Sequence, residues 1–200
     1  VGIDATGLQK DDEVHTTLAL VHTYPDGDRD FSFYRNPGAD MMLTEEEVPE
    51  EIIEGTRIFH FGTLSMTHEG VRKATKKAVR IAKESGALIS FDPNLREPLW
   101  NSLDEAKEQV LYGLGQCDIL KISDNEIQWL TGEEDFTEGV RWIHERYDIP
   151  MILVSMGKAG SRAYYKDFIV EVKPFIQKNT IETTGAGDTF CAGVLHYILG

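Results

Sequence analysis

No apolar run in this chain approaches the ~20 residues a membrane-spanning helix needs, so no membrane partner is expected. Cysteine is scarce. Cys117 and Cys191 lie far apart in sequence, which suggests a reducing, cytoplasmic setting rather than a disulfide scaffold. Positive charge is short as well: 20 Lys and Arg stand against 34 Asp and Glu, a net charge of −14. That balance excludes nucleic acid as an expected partner, and it means any phosphate site must be built locally from backbone N–H groups and a few basic residues. Several motifs are missing. There is no G-x-x-x-x-G-K-[ST], Gly185-x-Gly187 lacks the third glycine of a dinucleotide fingerprint, and no G-x-S-x-G elbow occurs. The six histidines show no zinc-ligand spacing. No internal repeat, low-complexity segment or signal-peptide pattern is visible, and both ends read as cut, at Val1 and at Gly200 inside an apolar helical pattern.

What is present is enough for one sizeable α/β domain: 200 residues, 41% of them apolar. The first region differs from the rest. Val14 to Tyr24 and Phe31 to Tyr34 are rich in β-branched and apolar residues, and Pro25-Asp26-Gly27-Asp28 between them is a turn signal, so a β-hairpin is expected. From Leu43 onward strands and helices alternate. Thr44 with Glu47 fits a capping box opening a short acidic helix. Arg57–Thr63, Ala87–Phe91, Asp118–Ile122 and Met151–Ser155 read as strands. Val71, Ala74, Ala78, Ile81 and Ala82 form a helical stripe stopped by Gly86, and Ser102 with Glu105 can cap the next helix. Glu126–Leu130 and Phe136–Tyr147 read as helices, Ser161–Tyr165 with Phe168–Val172 as a hairpin, and Asp188–Leu199 as a helix with Phe190, Val194, Leu195 and Ile198 on its apolar side. This order implies a mostly parallel sheet covered by helices on both faces, with sites beyond the carboxyl ends of its strands.

Those strand ends carry polar loops: Asp92-Pro93-Asn94-Leu95-Arg96, Ser123-Asp124-Asn125-Glu126, and Ser155 through Gly160. Singly, each reads as loop and capping chemistry. The segment Thr183-Thr184-Gly185-Ala186-Gly187-Asp188-Thr189-Phe190 is more informative. Its glycines let backbone approach a ligand, and the N–H groups of a helix start favour an anion. Asp188 beside an anion suits a group that accepts a proton from an attacking hydroxyl. Backbone donors for a moving phosphoryl group and a base for its acceptor make a phosphoryl-transfer constellation. The alternative is a Gly-rich turn with an ordinary helix-start Asp, and the local sequence leaves both open.

Taken together these segments resemble the ribokinase-like (PfkB) sugar kinases, and within them the fructokinases. Thr183 to Phe190 with Ala192-Gly193 resembles the family's C-terminal motif. Phe33-Tyr34-Arg35-Asn36-Pro37-Gly38-Ala39-Asp40 and Asp92 through Trp100 resemble fructokinase stretches, the second shared with 2-keto-3-deoxygluconate kinases. The resemblance implies a ribokinase-like fold with a small β lid over residues 1–40 and a kinase core over 41–200, the family's N- and C-terminal segments being absent. It implies ATP and Mg2+, with K+ in question, acting on a sugar hydroxyl, fructose first. Asp188 would be the base, and Gly185, Ala186 and Gly187 the anion hole. Arg35 from the lid and Arg96 would meet the sugar. Asn94, Lys121, Ser155, Gly157, Lys158 and Gly160 would lie along the nucleotide. Glu126 would act on Mg2+ through water. Two positions depart from the family pattern: Ser123 stands where it has Asn, and Glu182 where it has Asp. Glu182 and Thr184 would sit by the monovalent cation. A homodimer through the lid is also implied. The alternatives are a 2-keto-3-deoxygluconate kinase and a family member that senses sugar without catalysis.

Overall fold

The computed structural model describes residues 2–24, 29–175 and 183–200. Two sheets form. Strands β1 (Leu18–Thr23) and β2 (Arg29–Tyr34) pair antiparallel as a two-stranded sheet, with Leu18 opposite Tyr34 and Val21 opposite Phe31. The expected turn at 25–28 lies outside the described residues. The second sheet has six strands in the order β3-β4-β5-β6-β7-β8: β3 (Ile58–Gly62), β4 (Leu88–Asp92), β5 (Ile119–Ser123), β6 (Met151–Ser155), β7 (Ser161–Tyr165) and β8 (Phe168–Val172). The first four run parallel and the last two antiparallel.

The alternation of side chains along β4 and β5 decides what each face holds. Phe91 and Leu120 sit opposite each other and point one way, into the main core. There they meet α2 (Glu69–Glu84) and α3 (Leu103–Leu114). The stripe Val71, Ala74, Ala78, Ile81 and Ala82 is buried, as its spacing predicts, and α2 ends at Ser85 with Gly86 at φ +80°. Burying one Val or Ile side chain contributes about 1.5–3 kcal/mol, so this stripe anchors α2 to the sheet. Helices α4 (Asp124–Thr131) and α5 (Phe136–Arg146) follow β5 and pack on the core through Ile127, Leu130, Val140 and Ile143. Helix α6 (Ala186–Leu199) covers the opposite face. Its buried residue is Cys191, while Phe190, Val194, Leu195 and Ile198 are half-buried. Arg57 reaches across from the start of β3 to the Leu199 carbonyl at 2.9 Å and holds the far end of α6.

One expected helix start moves. Thr44 donates to the Glu47 carboxylate from both its N–H and its hydroxyl, at 2.9 and 3.0 Å, but this closes a turn. Helix α1 (Glu50–Glu54) begins only after Pro49. A residue before proline is pushed out of the helical region, so Val48 cannot continue a helix from Thr44. No helix among the described residues is long and apolar enough to cross a membrane.

Candidate active site

Because β3 to β6 run parallel, their carboxyl ends share one edge of the sheet. The N-terminus of α6 lies at the same edge, and between them is an open cleft of about 370 Å³. Asn94, Arg96, Lys121, Glu126, Gly185, Gly187 and Asp188 line it together.

The cleft floor is charged. Asp92 ends β4 and Lys121 sits on β5 on the same face, with Nζ 3.0 and 3.2 Å from the two carboxylate oxygens. Both are almost fully buried, at 3% and 6% exposure. Burial pushes the Asp92 carboxyl up to about 6; nearby Glu126 and Asp188 push it the same way, and Lys121 opposes them. A Cβ on Gly187 would lie 3.1 Å from Lys121 Nζ, so glycine lets the first turn of α6 rest directly on the ammonium group. Gly185 caps α6 at φ +76°, a left-handed conformation that favours glycine. The helix N-terminus favours an anion at this spot, and Lys121, already paired with Asp92, adds an N–H donor rather than a free positive charge. Asp188, in the first turn of α6, is exposed to the cleft.

The loop after β4 forms one wall. Asn94 takes φ +44°, and the next N–H, Leu95, donates to Glu126 Oε1 at 2.8 Å. Glu126 Oε2 accepts the Ser123 N–H and hydroxyl at 2.9 and 2.8 Å, while Ser123 Oγ accepts the Glu126 N–H at 3.2 Å. This reciprocal box starts α4. Arg96 extends from the wall beneath the lid, its guanidinium 5.5 Å from the Phe31 ring centroid.

Other expected site residues lie outside this cleft. Ala186 does not line it, and its N–H donates to the Thr183 carbonyl at 3.1 Å. Ser155 pairs in register with Ser123 one strand over, and Gly157 and Lys158 are exposed on the turn that follows. Gly160 has a structural reason to be glycine: its φ is +103° and a Cβ would lie 2.2 Å from the Val172 carbonyl oxygen. Thr184 is exposed just before the α6 cap, and Glu182 lies outside the described residues.

Arg35 follows directly on β2 and turns in against the core. Its side chain is 6% exposed. It donates to Asp40 Oδ2 at 2.7 Å, to Thr67 Oγ1 at 2.7 Å and to the Leu64 carbonyl at 2.9 Å. It lines a second hollow of about 530 Å³, with Phe33, Asp40, Leu64 and Leu99. The 94–99 loop therefore borders both hollows, through Arg96 on one and Leu99 on the other.

Asp92 and Trp129 also belong to the site, although no local motif marks either of them. Trp129 lines the cleft from α4. For Asp92 a signal existed: a carboxylate ending one apolar strand and a lysine inside the next, each too costly to bury alone.

The sequence matches the pfkB family of carbohydrate kinases over residues 1–199. It is 42% identical over 198 residues to fructokinase-1 of Zea mays, covering 99% of this chain and 61% of that protein. It is 41% identical over 197 residues to probable fructokinase-2 of Arabidopsis thaliana, covering 98% of this chain and 60% of the relative. The chain thus spans about 60% of the length of these relatives. Among solved structures, fructokinase from Vibrio cholerae O395 in its fructose-, ADP- and calcium-bound form superposes with a TM-score of 0.87 at 31% identity, covering 96% of this chain and 61% of that one. With nearly every residue matched and the fold shared, the chain belongs to the pfkB family of carbohydrate kinases.

Proposed function

We propose that the full-length protein is an ATP-dependent fructokinase that transfers the γ-phosphoryl group to the primary hydroxyl of fructose. The observation that carries this is the placement of Asp188. It stands exposed at the α6 N-terminus, next to the spot where Lys121 and the helix dipole favour an anion, while the neighbouring carboxylates Asp92 and Glu126 are engaged by Lys121, Leu95 and Ser123. Asp188 takes the proton from the sugar hydroxyl as it attacks. The first-turn N–H groups and Lys121 stabilise the charge on the moving phosphoryl group. Arg96, Asn94 and the lid hold substrate and exclude water.

Among the described residues no group of three His, Cys, Asp or Glu side chains is placed to hold a metal ion. Glu126 Oε1 accepts one N–H and keeps acceptor capacity, so the residues fit a Mg2+ that arrives on the nucleotide phosphates and meets Glu126 through water. Held there, the ion would neutralise phosphate charge. A monovalent cation beside Thr184 belongs to the same proposal and is tested by exchanging KCl for choline chloride. So do a cytoplasmic location, which the two buried free cysteines support, and a homodimer through the lid.

The experiment is turnover by the full-length protein with ATP and a sugar panel. Fructose is expected to give the highest kcat/KM. Preference for 2-keto-3-deoxygluconate, or no turnover with any sugar, would refute the proposal.

A further inference from the structure

Glu126 joins two loops that come from different strands. Its bonds to Ser123 are helix capping, three residues away in sequence. Its bond to Leu95 is not: the partner lies 31 residues upstream, in the loop after β4. Capping α4 does not require it. The residue before Leu95 is Asn94 at φ +44°, a left-handed conformation that asparagine tolerates better than most residues and that aims the next N–H at Glu126. The residue after it is Arg96, which faces the cleft and lies under the Phe31 ring. A carboxylate accepting an N–H makes a shorter, stronger bond than a neutral acceptor does.

We propose that Glu126 is a positioning residue for the sugar and nucleotide wall of the cleft. Its bond to the Leu95 N–H pins the left-handed turn at Asn94 and sets the direction in which Arg96 leaves the loop. The kinetic part of this role rests on the sugar-kinase reading, whereas the pin itself does not.

The test uses the full-length protein and reads hydrogen exchange at the Leu95 amide. Glu126→Ala should speed that exchange by at least about tenfold, the loss expected for a hydrogen bond to a charged acceptor. Ser123→Ala removes the hydroxyl of the capping box but leaves the Leu95 bond, so Leu95 exchange should stay near the parent value. Should Glu126→Ala not fold, Glu126→Gln keeps the side-chain volume but offers one acceptor oxygen for two loops. It should release the Leu95 or the Ser123 amide. Unaltered Leu95 exchange in Glu126→Ala, or equal release in Glu126→Ala and Ser123→Ala, overturns the proposal. Kinetics supply a second arm. Because Glu126 also faces the nucleotide's Mg2+, the kinetic reading is KM for the sugar: Arg96→Ala and Glu126→Ala should each raise it, and adding Glu126→Ala to Arg96→Ala should raise it little further. Multiplying increases in sugar KM, or an unaltered sugar KM in Glu126→Ala, overturn it. If the parent phosphorylates no sugar, the kinase reading fails while the exchange comparison still decides the pin.

Discussion

Glu126 and Asp188 line one cleft, Asp92 lies buried beneath it against Lys121, and each is held differently. Asp188 is exposed in the first turn of α6, so replacing it should alter chemistry more than structure. In the full-length protein Asp188→Asn is expected to lower kcat by about 10²–10⁴ while ATP affinity stays within a few-fold. Near-normal turnover would remove Asp188 from the mechanism. Asp92 is the opposite case. Its carboxyl is raised to about 6, chiefly by burial, so the folded protein holds that proton more tightly than the unfolded chain does. Its contribution to stability is therefore greatest at acid pH and declines as pH rises from about 4 to about 6. Asn mimics the protonated form and does not titrate. Urea unfolding from pH 4 to 7 should show the parent losing stability relative to Asp92→Asn across that window, and a flat difference would mean Asp92 titrates normally. The two residues also differ in how readable they were. Asp188 sits in a local motif whose glycines and helix start lie within a few positions. Asp92 acquires its role by pairing with Lys121 on the neighbouring strand, a contact 29 residues apart that linear spacing does not reveal.

Helix starts show what local pattern can and cannot specify. At Ser102 the pattern held: its side chain accepts the Glu105 N–H at 3.1 Å and α3 begins at Leu103. At Thr44 the bonds run the other way, from its N–H and hydroxyl to the Glu47 carboxylate, and Pro49 delays the helix to Glu50. The two sites therefore predict different costs. Ser102→Ala should lower unfolding stability by about 1 kcal/mol, the usual value of an N-cap, and leave KM values unchanged. Thr44→Ala should cost less, because it opens a turn and leaves α1 its own start; equal losses in thermal melts would contradict this. Strands were legible because β-branched runs end at glycine, proline or aspartate, and the parallel order followed from their alternation with helices. The Arg57 bond to Leu199 was not, since it links residues 142 apart. The same holds for Arg35, whose motif placed it near the lid but whose partners Leu64 and Thr67 lie in the segment after β3.

At the scale of the whole molecule, the lid sheet has two unlike faces and a hydrogen-bonded anchor at its base. Val21, Phe31 and Phe33 lie on one face, and Phe31 on that face meets Arg96 at the cleft. Leu18, Leu20 and Tyr34 share the other face and are 59%, 56% and 68% exposed. An exposed apolar strand face suits a second copy of the same hairpin, so Leu20→Glu should shift full-length protein from dimer to monomer in sedimentation velocity. A monomeric parent would refute the lid dimer. The anchor is Arg35. From the end of β2 it holds the Leu64 carbonyl and Thr67 hydroxyl of the core, and Asp40 grips it from the returning chain. Asp40 is in turn hydrogen-bonded by Thr17, just before β1, so one network joins both lid strands to the loop after β3. Burial raises the Asp40 carboxyl, but the bonds from Arg35 and Thr17 outweigh it and hold the group below its usual value. The network thus stays charged at neutral pH. Arg35→Ala should raise KM for the sugar more than KM for ATP and increase hydrolysis of ATP without transfer, because a loosened lid admits water. Arg35→Lys should not rescue it, since one ammonium cannot reproduce a planar fork that reaches three partners. Asp40→Asn should show the same split in weaker form, and the double variant should add little to Arg35→Ala. Equal effects on both substrates, or rescue by lysine, would mean that Arg35 does not act through the lid.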